Sequence, residues 1–132
     1  MIELRKASDK DITFLYDLRT DPVASRMSRR PPPSLTEHMH WWGKTTDLIY
    51  VAEWDRVRVG MMRVSVDGVV SIIVHPELRG QGFGEPMLRA LETHARGEGH
   101  KHLIAEVAYE NMPSQRIFNK AEWRPILFER YL

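Results

Sequence analysis

Val74-His75-Pro76-Glu77-Leu78-Arg79-Gly80-Gln81-Gly82-Phe83-Gly84 leads from a run of β-formers, Val69 to Val74, directly into a helical pattern. Met87, Leu88, Leu91 and Ala95 then recur at helical spacing, so a helix is expected from Gly84 to Arg96. Alternating glycines remove Cβ atoms where a ligand must approach the backbone, and they permit turns that aim successive N–H groups to one side. The helix start adds free donors and the positive end of the helix dipole. Arg79 adds a cation. Strand, glycine loop, arginine and helix together describe a cradle for phosphate or pyrophosphate. A dinucleotide-binding G-x-G-x-x-G read from Gly80 and Gly82 would need glycine where Glu85 stands, and the Gly-Lys-Ser/Thr of a P-loop is absent.

Working outward, Asp67-Gly68 is a hairpin signal joining Val69–Val74 to a preceding strand, Val57–Val66. Asp55-Arg56 connects that strand to another, Asp47–Trp54, and Gly60 marks a bulge or a close backbone approach. Toward the N-terminus, Ile2–Arg5 reads as a strand. Ser8 or Asp9 caps a helix carrying Ile12, Leu15, Tyr16 and Leu18 and ending near Thr20. Asp21-Pro22 reads as a breaker, and Val23–Pro33 as a loop holding Arg26, Arg29 and Arg30. Ser34-Leu35-Thr36-Glu37 matches a capping box for a helix over Leu35–Thr46. Beyond the glycine loop, a strand is expected over His102–Ala108, a short helix over Pro113–Lys120 and a last strand over Trp123–Tyr131. The order β-α-α-β-β-β-α-β-α-β is one α/β (α+β) domain spanning residues 1–132, a mixed, mostly antiparallel sheet flanked by four helices.

Composition narrows the function. The 132 residues suit one domain with a proper core. There is no cysteine, which excludes disulfide scaffolds, thiolate metal sites and a cysteine nucleophile. Lys+Arg number 19 against 18 Asp+Glu, a balance that argues against nucleic acid polymers and anionic membranes as partners. The start, MIELRKASDKD, has no apolar segment of a signal peptide, and no run nears the about 18 apolar residues of a membrane span. A cytoplasmic location is the default expectation. His38 and His40 are two apart and diverge on a helix, so no metal site is expected.

Val74-x-Pro76-x-x-Arg79-Gly80-x-Gly82-x-Gly84 resembles the acyl-CoA motif of the GNAT N-acetyltransferases. Asn111-x-x-Ser114-x-x-x-Phe118-x-Lys120-x-Glu122-Trp123 resembles that family's second motif, Asn-x-x-Ser/Ala-x-x-x-Tyr-x-Lys-x-Gly-Phe. The element order agrees, and the likeness covers nearly the whole chain. It implies acetyl-CoA as the donor. It implies that Arg79, Gly80, Gln81, Gly82, Phe83 and Gly84 hold the CoA pyrophosphate. Backbone groups of Ile72, Ile73 and Val74 would meet the pantetheine arm and the acetyl carbonyl. A splay between that strand and His102–Ala108 would admit the arm, and Asn111, Ser114, Phe118 and Lys120 would flank it. Leu18-Arg19-Thr20-Asp21-Pro22, Ser28 and Glu37-His38-x-x-Trp41 further resemble the branch that acetylates nucleotide-activated amino sugars, including pseudaminic-acid-pathway enzymes. In that reading Arg26, Arg29 and Arg30 meet a nucleotide diphosphate, with His38 and Trp41 beside the acceptor.

Acetyl transfer needs a neutral amine at the thioester carbonyl, donors for the developing oxyanion and a proton for the departing thiolate. Backbone N–H near Ile73 or Val74 is the expected oxyanion donor. Base candidates are Glu53, His38, His40 and His75, histidine having the most suitable ordinary pKa. Phe118 stands where the family places a proton-donating tyrosine, and a phenyl ring donates nothing. A free thiol has a pKa of about 8.5, so the thiolate can leave with help from Ser114, water or Tyr109. Glu122 replaces the family's glycine and would be strained if the turn needs φ > 0. Without cysteine, transfer is expected to pass directly from acetyl-CoA to the amine. The favoured acceptor is an amino-sugar nucleotide; a protein N-terminus, a polyamine or an antibiotic amine is the alternative, as is a non-catalytic acyl-CoA-binding module. The family usually ends in two strands and this chain has room for one, so a shortened C-terminus and a homodimer completing the sheet are expected.

Overall fold

The computed structural model describes residues 1–28, 30–126 and 130–132. Four strands pair in sequence order and antiparallel throughout: β1 (Ile2–Lys6), β2 (Leu48–Trp54), β3 (Val57–Val64) and β4 (Val70–Val74). Around them lie α1 (Ile12–Arg19), α2 (Pro22–Ser28), α3 (Leu35–Lys44), α4 (Gly84–Gly97) and α5 (Met112–Lys120). Single 3₁₀ turns at Asp9–Asp11 and Pro76–Leu78 lead into α1 and the glycine loop.

Period-two alternation gives the sheet two apolar faces. Tyr50, Ala52, Met62, Val64 and Val70 pack with Met87, Leu88 and Leu91 of α4 and Phe118 of α5. On the other face Ile49, Val51 and Met61 meet Leu15 and Leu18 of α1, with Trp41, Trp42 and Ile73 at the margin. Trp41 and Trp42 are both half-buried: Trp41 lies over Arg19, and Trp42 donates to Asp9 at 2.8 Å.

The expected bulge is present. The β2–β3 register shifts between Ala52 and Glu53, opposite Gly60, where a Cβ would lie 2.5 Å from the Ile73 carbonyl oxygen and 2.7 Å from the Met87 methyl. Gly60 therefore serves both a bulge and a close approach. The capping box of α3 also forms, Glu37 N–H donating to the Ser34 hydroxyl at 3.1 Å and Ser34 N–H to the Glu37 carboxylate at 2.9 Å.

Several expectations are corrected. Val23–Pro33 is not all loop, because Pro22–Ser28 is α2. Asp21-Pro22 starts this helix rather than breaking one. The Asp21 carboxylate accepts from Ala24 N–H at 3.0 Å, and Pro22 takes a first-turn position whose missing N–H costs nothing. The strand expected over His102–Ala108 is a single parallel bridge, Ile104 to Val69. Leu103, Ala105 and Val107 still point into the core in alternation. The strand expected over Trp123–Tyr131 is absent from residues 123–126 and 130–131, and residues 127–129 lie outside the described ones. The β3 strand ends at Val64 rather than Val66. Among the described residues no helix is long and apolar enough to cross a membrane.

Candidate active site

The open edge of β4 is the starting point. Val70 N–H donates outward to the Ile104 carbonyl at 2.7 Å, and His75 N–H donates inward to Val59 at 2.8 Å. Backbone groups alternate sides along an antiparallel strand. Ser71 and Ile73 therefore spend theirs on β3, where they pair with Arg63 and Met61. Ile72 and Val74 turn theirs to the open edge, where no backbone partner among the described residues meets them. The donors near the expected acetyl position thus belong to Ile72 and Val74; Ile73 N–H is engaged in the ladder. Among the described residues the facing segment is joined to this edge by backbone hydrogen bonds only at Ile104.

The strand runs into the loop singled out above. Among the described residues, no backbone N–H from Arg79 to Gly84 donates to a backbone carbonyl. Gly80 and Gly82 have φ of 78° and 86°, and a Cβ on either would meet nothing within 4 Å. They are glycines for their conformation, and the space above them is open. Gly84 differs. Its place is buried, and a Cβ there would run into Ile117 of α5, with Cγ1 at 2.7 Å. Two glycines shape the loop and the third lets α4 pack on α5. Row upon row of free donors along Ile72, Val74 and Arg79–Gly84 fits a pantetheine amide arm followed by a pyrophosphate.

The loop side chains are accounted for individually. The Arg79 guanidinium donates to Asp21 at 2.8 Å. Burial works to raise the Asp21 pKa, but the Arg79 bond and the N–H groups of Ala24 and Val23 outweigh it and lower the value. The Gln81 amide donates to the Glu77 carbonyl at 3.2 Å. Phe83 meets Trp54 edge to face at 5.9 Å.

Helix α5 faces α4 across Gly84. Asn111 caps α5, accepting from Ser114 N–H at 3.2 Å. Ser114 is half-buried, one turn before Phe118 on the same side of the helix. Phe118 is core, in edge-to-face contact with Trp123 at 4.8 Å. Lys120 is exposed, and its carbonyl accepts from Arg89 at 3.0 Å. Tyr109 is 84% exposed, so its phenol faces water. Glu122 has φ 67°, its N–H donating to Asn119 and that of Trp123 to Phe118. This is a complete Schellman stop with glutamate in the left-handed position that glycine favours. The left-handed turn forms here with glutamate in place of glycine.

The acid–base candidates separate. His38 is fully buried and both ring nitrogens are used. Nε2–H donates to the Ile12 carbonyl at 2.9 Å, and Nδ1 accepts from Arg19 at 2.9 Å. Burial lowers its pKa, the Ile12 carbonyl opposes this, and the Arg19 charge lowers it further. Both ring nitrogens of His38 are thus engaged with Ile12 and Arg19, which leaves no free lone pair on this side chain. His75 accepts from Glu77 N–H at 3.1 Å through Nδ1, so its other nitrogen carries the proton when the ring is neutral. Glu53 is half-buried on β2 and bonded to Arg5 at 3.2 Å. It stands two strands from β4, roughly 10 Å at ordinary strand spacing.

Of the three arginines expected to meet an acceptor, Arg26 and Arg30 are exposed, and Arg29 lies outside the described residues. Trp41 stacks against Arg19, whose guanidinium carbon is 4.0 Å from the ring centroid. Burial lowers the Arg19 pKa, and the charge of Arg63 adds to the effect. Arg19 and Asp21, which sequence reasoning did not single out as candidate site residues, are the partners of Trp41 and Arg79. Both sit within the Leu18–Pro22 segment, read there as a resemblance and a chain break. No three metal-binding side chains gather among the described residues.

Residues 12–123 match the family model described as Acetyltransferase (GNAT) family. The chain is 28% identical over 137 aligned positions to a Bacillus subtilis protein named for phosphinothricin acetyltransferase, covering 91% of this chain and 84% of that one. Its fold is similar to a crystallised domain from Methanocaldococcus jannaschii, with TM-score 0.85 at 19% identity over 98% of this chain and 92% of the other. It is also similar to the spermidine N-acetyltransferase of Vibrio cholerae solved with CoA and spermine, with TM-score 0.79 at 20% identity over 91% and 79% of the two chains.

Proposed function

The chain belongs to the GNAT acetyltransferase family, with acetyl-CoA as its donor, and from that premise we propose that it acetylates the primary amine of a small acceptor. The observation that carries this reading is the open edge of β4 continuing into a loop of unpaired N–H groups. Acetyl-CoA supplies an activated acyl group whose thiolate leaves readily. The residues do the rest. Arg79–Gly84 receive the pyrophosphate with backbone N–H groups and the α4 N-terminus. Ile72 and Val74 hold the extended arm, and Val74 N–H lies where charge develops on the thioester oxygen.

The acceptor nitrogen forms the new C–N bond, the C–S bond breaks, and one proton passes from the amine toward the thiolate. Glu53 is the proposed proton acceptor, acting through water because of its distance from β4. Ser114 is the proposed proton source for the thiolate, its hydroxyl lying one turn from Phe118. The exposure of Tyr109 argues against giving it that role. The favoured acceptor is an amino-sugar nucleotide, supported by the Leu18–Pro22 and Glu37–Trp41 segments and by the basic residues Arg26, Arg29 and Arg30. An amine without a negative group, such as a polyamine, is the second reading; the Vibrio cholerae protein was solved with spermine. A cytoplasmic location and a homodimer belong to the same proposal. The outer edge of β1, which no described strand covers, supports pairing with a second copy, and light scattering measures it.

The test is thiol release from acetyl-CoA across a panel of amines, with the acetylated product identified by mass spectrometry. Turnover of at least one small primary amine is expected. Acetyl-CoA binding without turnover of any amine would overturn the enzymatic reading and leave a binding module.

A further inference from the structure

Resting on that reading, we propose that Arg19 is the receptor for an oxyanion carried by the acceptor, a carboxylate or a phosphate, so that the substrate is an amine bearing a negative group held at the end of α1.

Three arginines are half-buried among the described residues, Arg5, Arg19 and Arg63. Arg5 is bonded to Asp11 at 2.7 Å and Glu53 at 3.2 Å, and Arg63 lies 3.5 Å from Asp47. Among the described residues Arg19 meets no carboxylate. Its hydrogen-bond partner is a neutral ring, His38 Nδ1 at 2.9 Å, and its flat face rests on Trp41 at 4.0 Å. A guanidinium has five N–H donors. One is spent on His38, and the fork geometry of the rest suits a planar or tetrahedral oxyanion. A half-buried cation without a counterion is costly to keep. The protein nonetheless orients it from two sides. His38 is locked by its bond to Ile12 so that its lone pair faces the guanidinium, and Trp41 supports the stack.

The surroundings favour an anion and oppose a cation. Arg63 lies on the same face of the sheet, two residues along β3 from Met61, and donates to the Ser71 hydroxyl of β4 at 3.3 Å. Its charge is felt at Arg19. Helix α1 packs against β3 and β4, and Ile73 borders the same apolar cluster as Leu15 and Leu18. Arg19 is therefore a positive anchor on the α1 face of the strand whose open edge meets the donor. This adds a fixed, half-buried arginine to the exposed Arg26 and Arg30 in acceptor recognition.

Matched acceptors test it at saturating acetyl-CoA. One pair is an α-amino acid and its carboxamide; the other is an amino-sugar 1-phosphate and the free amino sugar, which separates carboxylate from phosphate. The anionic member of at least one pair is expected to show kcat/KM tenfold or more above the neutral one. Arg19→Gln should erase the preference by raising KM for the anionic member, with kcat and the Kd for acetyl-CoA little changed. Arg19→Lys should restore part of it, and it keeps the test open if the glutamine variant folds poorly. Equal or better use of the neutral members, or a preference surviving Arg19→Gln, would overturn the proposal. If no amine turns over, the enzymatic reading fails separately, and titration of Trp41 fluorescence with inorganic phosphate and with glutarate decides. A saturable change lost in Arg19→Gln supports the anion site; no saturable change contradicts it.

Discussion

Arg79 of the glycine loop reaches across the fold to Asp21, its guanidinium 2.8 Å from the carboxylate that also caps α2. The glycine loop and the start of α2 are thus tied by one ion pair. A pyrophosphate arriving at the loop competes with Asp21 for the same guanidinium. Asp21→Asn keeps the cap on Ala24 but removes the competing charge. It should tighten acetyl-CoA binding about threefold by calorimetry, the scale of a partly exposed ion pair. Unchanged or weaker binding would show that Arg79 stays with Asp21 when the cofactor binds.

Glu122→Gly should stabilise the protein. Glu122 occupies the left-handed position of the α5 stop at φ 67°, where glycine costs nothing and a β-carbon about 1 kcal/mol. The expected gain is about that amount in denaturant unfolding, with the Phe118–Trp123 contact retained. A loss of stability would mean that the Glu122 side chain contributes more than the strain it carries.

This turn was legible before any coordinates, since glutamate in a glycine position predicts strain. The glycine loop was legible for a similar reason: strand, arginine, glycines and helix in one stretch leave few other structures. The distinction between its glycines was not, because Gly84 answers to Ile117, thirty-three residues away in sequence. Asp21-Pro22 was read as a stop when it is a start, since both uses begin with the same residues and tertiary contacts decide between them. His38 looked like a base because its chemistry is suitable; its burial and two fixed partners are long-range facts. That Arg19 meets no carboxylate among the described residues could not be read at all, as it depends on where distant carboxylates lie.

Gly84→Ala should cost about 1–3 kcal/mol of stability through overpacking against Ile117. The double variant with Ile117→Ala should lose less than the sum of the two single costs, a coupling measurable by chemical denaturation. Strict additivity would place the two residues out of contact.

Acid should expose the Asp11 network. Asp11 is 1% exposed and hydrogen-bonded to Arg5, and its pKa is lowered from 3.8 to about 2. The Arg5 bond is the main cause; burial opposes it, and Ser8 N–H and Arg58 assist. A carboxyl depressed in the folded state stabilises above its unfolded pKa and loses that contribution as pH falls through the folded value. Stability of about 2 kcal/mol from this group should therefore be full above about pH 5 and fade between about pH 4 and 2. Asp11→Asn should flatten that part of the pH dependence in thermal unfolding. An unaltered acid limb in the variant would contradict the assignment.

The central claim is that the open edge of β4 and the loop after it receive acetyl-CoA. Amide hydrogen exchange, read residue by residue with and without acetyl-CoA, tests it most directly. Ile72 and Val74, together with Arg79 to Gly84, have unpaired N–H groups and should exchange fast in the free protein and slow markedly on binding. Ile73, already bonded to β3, should change little. Protection confined to other segments, or Ile72 and Val74 exchanging at the same rate with saturating acetyl-CoA, would contradict the account.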